Sequence, residues 1–158
     1  MNNERYPFQI TEYYSPGLNS LKRVYTQHPK FSGNERLIYE LLFDYWNPDQ
    51  GYAFPTISQL AIESGLGEST VKRSIAKLKE LDLLDVRGSD VASNNVYIVK
   101  KPVTTIEELV AKFPEVVAHM EQRVASIKGR EASDRQRLKD SAKKPKEVAQ
   151  VAVDDFDW

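Results

Sequence analysis

Residues Phe54 to Leu84, FPTISQLAIESGLGESTVKRSIAKLKELDLL, contain the pattern that decides the fold. Thr56 and Gln59 have the spacing of a capping box, which favours a helix start at this point. Gly65 can end that helix, because a left-handed backbone conformation costs glycine little. A second helix is predicted to begin near Gly67–Ser69, where either residue can serve as the N-cap. The stretch therefore predicts two short helices joined by a tight turn.

The second predicted helix has an apolar side and a cationic side. Its apolar residues recur at i, i+4, i+7 and i+10, the spacing of a buried stripe: Val71, Ile75, Leu78 and Leu81. Its other side carries Ser69, Thr70, Lys72, Arg73, Lys77 and Lys79. Such side chains can donate hydrogen bonds to DNA phosphates and to base edges in the major groove. From this segment alone, a surface helical hairpin with a solvated charged face is the alternative interpretation.

The periodicity changes after the second helix. Residues 83–87 and 95–99 have the composition of two strands, and the residues between them are typical of a loop. Tyr52-Ala53-Phe54 can supply a further short strand that pairs with this hairpin. The candidate DNA contacts on the hairpin are Arg87, Ser89, Asn94 and Lys100. A purely structural hairpin is the alternative.

A helix-turn-helix followed directly by a hairpin resembles the winged helix-turn-helix domains of bacterial transcription regulators and of plasmid and phage replication initiators. The resemblance spans residues 31–101 and is carried by AFPTISQLAIESGLGESTVKRSIAKLKELDLLDV and the following SNNVYIV. It implies that the second helix enters the major groove of double-stranded DNA. Relatives of this kind are often dimers, which favours a homodimer. Asp82 departs from the pattern, since such domains often have glycine between the recognition helix and the first wing strand.

The segments before and after this domain are predicted to be an arm and a helical extension. Residues 1–30 form an N-terminal arm that either packs on the domain or contacts DNA or a second chain. Ser32 and Glu35 form a second capping box, which opens the first helix of the domain. Residues 102–128 form a helical extension. Its apolar residues at near-heptad spacing either pack on the domain or pair two chains: Val117, Met120, Val124 and Ile127.

Residues 129–158 are predicted to be a flexible linker and a tail, because the linker is charged and poor in apolar residues. The tail ends in Asp154, Asp155, Phe156, Asp157 and Trp158. It broadly resembles the acidic, aromatic-ended tails with which bacterial single-stranded-DNA-binding proteins recruit replication enzymes. This resemblance implies a docking peptide for a protein partner. A tail that folds back on its own basic groove and a tail without a role are the alternatives.

The composition excludes several classes of protein. The chain has 158 residues, a formal net charge of −1 and no cysteine, which excludes disulfides and cysteine-ligated zinc. No apolar run approaches the roughly 18 residues of a membrane helix, and the first residues do not have the pattern of a signal peptide. No phosphate-binding loop is present, and His28 and His119 are far apart. We therefore expect a cytoplasmic, nucleoid-associated protein that is not an enzyme and uses no cofactor or metal.

The expected fold class is α+β, mostly α: a winged helix-turn-helix with a C-terminal helical extension and a flexible tail. The expected function is sequence-specific binding of double-stranded DNA, as a transcriptional regulator of a bacterium, plasmid or phage. The alternative is a replication initiator or accessory factor that marks an origin and recruits machinery through its tail. A third hypothesis is an adaptor whose winged helix binds a protein. The cationic face of the second helix argues against an adaptor, since a protein-binding face would expose apolar residues.

Overall fold

The computed structural model describes residues 9–13, 15–88 and 95–143. Its contacts divide the chain into two units, residues 1–120 and residues 121–158. In chain order the described elements are α1 (Asn19–Arg23), a 3₁₀ turn (Tyr25–Gln27), α2 (Gly33–Asp44), α3 (Ile57–Ser64), α4 (Glu68–Glu80), β1 (Leu84–Gly88), β2 (Asn95–Val99), α5 (Ile106–Lys112) and α6 (Val116–Lys143). The described part is thus mostly helical with a small antiparallel sheet, which confirms the predicted fold class.

The core of the first unit lies between α2, α3, α4 and the sheet. Each element contributes fully buried apolar side chains, among them Ile38, Leu42, Leu60, Val71, Leu78 and Tyr97. The apolar stripe predicted for α4 is buried as expected. Burying side chains of this size contributes roughly 1.5–3 kcal/mol each before the opposing conformational entropy is subtracted. The core therefore sets the position of α4 relative to α2 and α3.

Several side chains of the segment before α2 are buried in this core. Leu21 and Tyr25 are completely buried, and the Tyr25 hydroxyl accepts a hydrogen bond from the Val103 backbone N–H at 3.2 Å. Residues 19–27 therefore pack on the domain and share its core, which fits the first of the alternatives given for the arm. Residues 1–8 lie outside the described part of the chain.

The predicted wing is a two-stranded antiparallel sheet. β1 and β2 pair in a register that runs from Leu84 opposite Val99 to Gly88 opposite Asn95. Ala53 forms an isolated bridge with Tyr97, with two backbone hydrogen bonds of 2.8 Å each. The short pairing segment predicted at Tyr52–Phe54 is therefore present and joins the start of α3 to the wing.

The exit from α4 uses an aspartate where relatives often have glycine. Asp82 has φ 55°, the left-handed conformation that glycine adopts most easily and that aspartate tolerates better than most residues. Its carboxylate accepts hydrogen bonds from the ammonium groups of Lys100 and Lys112. These two cations lower the pKa of Asp82. The side chain thus ties the end of β2 and the end of α5 to the corner between α4 and β1.

Helix α6 corrects the prediction for the end of the chain. The expected helix to Lys128 continues to Lys143, so residues 129–143 are helical and not a flexible linker. Most residues of this segment are good helix formers, and their summed propensity outweighs the single Gly129. Side chains one turn apart add local support, as in the 3.0 Å hydrogen bond from Gln136 to Asp140. None of the described helices is long and apolar enough to cross a membrane.

Candidate nucleic-acid interface

The turn between α3 and α4 is fixed by local chemistry. The Gln59 backbone N–H donates to the Thr56 hydroxyl at 3.0 Å, and the Thr56 N–H donates to the Gln59 side chain at 2.8 Å. This is the predicted capping box. Gly65 ends α3 with φ 70°, and Gly67 is the N-cap of α4. The two helices therefore meet through a short turn of the kind that the sequence predicted.

Helix α4 presents a polar stripe to solvent. Ser69, Lys72, Arg73 and Lys79 are exposed, whereas Thr70 and Lys77 are partly buried at the edge of the stripe. Ser69, Arg73 and Ala76 follow one another at i, i+4 and i+7, so they share the outward side of the helix. Sequence reasoning missed Ala76, because an alanine carries no polar group to mark it. An exposed alanine in this position allows close approach of a partner and can contact a thymine methyl group.

Two neighbouring side chains on this stripe support each other. The Arg73 guanidinium donates to the Thr70 hydroxyl at 3.1 Å. In the described part of the chain, neither Lys72 nor Arg73 takes part in an ion pair with a carboxylate. Their positive charges are therefore available to a ligand. The guanidinium of Arg73 retains further N–H donors beside the one that Thr70 holds.

The two carboxylates at the ends of α4 have partners. Glu68 in the first turn accepts a hydrogen bond from the Ser58 hydroxyl of α3 at 2.8 Å. Glu80 in the last turn pairs with the Lys30 ammonium, and this cation lowers the pKa of Glu80. Both carboxylates are therefore held by other groups of the domain. The lysine and arginine side chains of the polar stripe then dominate the charge on the outward side of the helix.

A buried carboxylate contacts the inner side of α4. Glu35, near the start of α2, is only 2% exposed. It accepts hydrogen bonds from the Ser32 backbone N–H at 2.8 Å and from the Ser74 hydroxyl at 2.9 Å. Burial raises the pKa of Glu35, but the bonds from Ser32 and Ser74 and the nearby Lys77 outweigh it, so the pKa is lowered overall. The carboxylate is therefore a charged link between α2 and the middle of α4.

Lys77, one of the predicted DNA donors, also contacts its own domain. Its ammonium is 3.5 Å from the Glu35 carboxylate, and its side chain is 44% exposed. Part of its charge is thus directed toward its own domain. The Ser32-x-x-Glu35 spacing predicted a helix cap correctly, but it gave no sign that the same carboxylate would reach across to α4. That contact joins residues 42 positions apart in the chain, beyond the reach of local pattern analysis.

The wing contributes fewer free donors than predicted. Arg87 is exposed, but its guanidinium donates to Asp85 at 3.2 Å. The Lys100 ammonium is occupied by Asp82. Ser89 and Asn94, the other candidates on the wing, lie outside the described residues, as do Asp154, Asp155, Phe156, Asp157 and Trp158 of the tail. The described part of the wing accordingly does not present a second cationic surface comparable with that of α4.

Comparison with known proteins is consistent with this geometry. A family model described as a helix-turn-helix domain matches residues 31–84, the segment from just before α2 to the first residue of β1. No curated protein and no solved structure showed significant similarity to the chain. A helix-turn-helix indicates DNA binding, and here it is followed by the two strands of a wing. Residues 31–84 are thus similar to the helix-turn-helix domain family, and the two strands of the wing complete the arrangement.

Proposed function

We propose that this protein binds double-stranded DNA sequence-specifically, with α4 in the major groove. The observation that carries the proposal is the exposed stripe of Ser69, Lys72, Arg73 and Ala76 on a helix whose other side is buried. A major groove about 12 Å wide admits an α-helix, and arginine can read guanine through two hydrogen bonds. Lys72 supplies phosphate attraction, which positions the helix without reading sequence.

The fixed attachment of α4 also supports a reading function. A recognition helix must hold its side chains in register with base edges, so its own orientation must not vary. The hydrogen bond between Ser74 and Glu35 and the buried Val71 and Leu78 supply that rigidity. A chain that bound only DNA phosphates would have no such requirement. Binding rather than catalysis is accordingly the proposed activity.

Transcriptional regulation is the primary role that we propose, with a homodimer on two half-sites. Two recognition helices about one helical turn of DNA apart, roughly 34 Å, would match a palindromic operator. Such a protein would act in the bacterial cytoplasm, at the nucleoid. Its gene would lie on the bacterial chromosome, a plasmid or a phage genome. The alternative is a replication initiator or accessory factor, favoured by the acidic and aromatic sequence of residues 154–158.

Selection from random duplexes and genome-wide pull-down with the purified full-length protein test these proposals. We expect enrichment of one motif, two-fold symmetric if a dimer binds. Enrichment of promoters supports the role of regulator. The role of initiator is supported by enrichment of a single origin-like region, together with loss of a protein partner when residues 154–158 are removed. Recovery of duplexes with no common motif would contradict sequence-specific binding.

A further inference from the structure

Trp46 lies just after α2 on a surface that exposes several large aromatic side chains. It is 39% exposed, and Phe43 and Phe54 are 42% and 50% exposed. Trp46 lines two neighbouring grooves, one of about 570 Å³ that includes Phe54 and one of about 520 Å³ that includes Phe43. Exposed aromatic residues next to concave surfaces are enriched at protein interfaces and often contribute most of the binding energy.

The two grooves carry opposite charges. Asp49 lines the groove that contains Phe54, and Lys101 lines the groove that contains Phe43. Both side chains are exposed, and within the described ranges neither is in an ion pair. The neighbouring Lys100 differs, because Asp82 already holds its ammonium. One side of Trp46 therefore offers a free carboxylate and the other a free ammonium.

We propose that this surface binds a second copy of the same chain in a symmetric contact. In this contact the two-fold axis passes near both Trp46 side chains and across the line that joins the two grooves, so that each groove of one protomer faces the opposite groove of its partner. Asp49 then lies opposite Lys101 of the partner subunit, and Lys101 lies opposite Asp49 of the partner subunit. A contact of this isologous kind needs a patch that is complementary to itself, and opposite charges on the two sides of Trp46 meet that condition.

The stripe on α6 is a poorer surface for pairing two copies. Val124 and Ile127 are about half exposed, but the same heptad positions one repeat later are Glu131 and Asp134. A parallel, in-register pair would place each of these carboxylates against its own copy, which is unfavourable. The Trp46 surface carries no such conflict.

The proposed contact leaves the candidate DNA interface open. None of the residues that line the two grooves belongs to α4. The dimer would therefore present both α4 helices while Trp46 is covered. The proposed contact rests on the homodimer in the proposed function and specifies its interface. Dimer formation itself is measured without DNA. Failure of the dimer and failure of DNA binding are thus distinguishable.

Reversal of the two charges in the full-length protein tests the contact. Asp49→Lys alone places like charges in both symmetric pairs, and so does Lys101→Asp alone. Each should raise the dimer Kd in sedimentation velocity at least about tenfold. The double variant should return to within about threefold of the original. A mixture of the two single variants should form a heterodimer, visible by native mass spectrometry, because both of its pairs are then opposite in charge. Heterodimer formation also shows that both variants are folded.

Trp46→Ala should raise the dimer Kd about thirtyfold or more, as expected for a central aromatic residue. Ile62→Ala is the matched control, since Ile62 is 81% exposed on α3 and lines neither groove. It should leave the Kd unchanged. A protein that stays monomeric up to its solubility limit would overturn the proposal. Dissociation by Val124→Ser but not by Trp46→Ala, or an absence of charge rescue in the mixture, would overturn it as well.

Discussion

The Ser74 hydroxyl donates a hydrogen bond to the Glu35 carboxylate at 2.9 Å, and both side chains are almost fully buried, at 1% and 2% exposure. This contact joins the first turn of α2 to the middle of α4, on the side opposite the exposed polar stripe. Lys77 approaches the same carboxylate at 3.5 Å and supplies the balancing charge. The proposed recognition helix is thereby fixed through a polar contact in addition to its apolar packing.

Removal of this carboxylate should destabilise the fold. Glu35→Ala leaves the Ser32 backbone N–H and the buried Ser74 hydroxyl without their acceptor, so we expect a loss of about 2–4 kcal/mol in the free energy of unfolding. Glu40→Ala, on the same helix, removes a partly exposed partner of Arg36 and should cost about 0.5 kcal/mol or less. Urea unfolding of both variants measures the difference. Equal losses would contradict a special role for Glu35.

Stability should also fall with acid in a way that depends on Glu35. Its pKa in the folded state is lowered, so its contribution is fully present above the unfolded-state pKa of about 4.3 and is lost as the pH falls through the folded-state value. Glu35→Gln removes this titration but keeps an acceptor. We expect the urea midpoint to decrease less between pH 6 and pH 3 in Glu35→Gln than in the original protein. Parallel pH profiles would show that other groups control the acid response.

Asp82 allows the backbone and ion-pair contributions at one position to be separated. Asp82→Gly and Asp82→Ala both lose the bonds to Lys100 and Lys112, which are exposed enough to contribute about 1 kcal/mol or less each. Only alanine must also adopt φ 55° with a Cβ, at a cost of about 1–2 kcal/mol. We therefore expect Asp82→Ala to be less stable than Asp82→Gly by about that amount. Identical urea midpoints would rule out backbone strain at this corner.

The salt dependence of DNA binding should distinguish Lys72 from Lys77. Lys72 is exposed and has no ion pair within the described residues, whereas Lys77 is 3.5 Å from Glu35. Lys72→Ala should reduce the slope of log K against log salt by about one phosphate contact. Lys77→Ala should reduce it by clearly less. The slopes come from fluorescence anisotropy titrations at several salt concentrations. A larger effect of Lys77 would mean that it leaves Glu35 to contact DNA.

Local patterns were sufficient to predict the elements around the candidate site. The capping box at Thr56, the helix end at Gly65 and the apolar stripe of α4 each depend on residues within a few positions of one another. The pairing of the segment Tyr52–Phe54 with the wing also followed from the resemblance to winged domains, although the specific partners did not. These predictions succeeded because the physical cause of each element lies within its own segment or in a familiar order of segments.

The features that the sequence did not indicate have a different origin. The inward contact of Lys77 depends on Glu35, 42 residues earlier, and no local pattern contains it. Sequence reasoning also missed Tyr39, which is buried on α2. Its hydroxyl donates to the Lys100 carbonyl at 2.9 Å, a bond to the end of the wing. The charge of residues 129–143 indicates a linker, but their helix propensity favours the helix that the structure shows.

The most direct measurement is the binding of the original protein and Arg73→Ala to the duplex recovered by selection, together with a repeat of the selection using the variant. If Arg73 reads a base, Arg73→Ala should lower affinity by about 1–3 kcal/mol and relax the preference at one position of the motif. Ile62→Ala serves as the control and should change neither property. An unchanged Kd and an unchanged motif for Arg73→Ala would contradict the assignment of α4 as the helix that reads DNA.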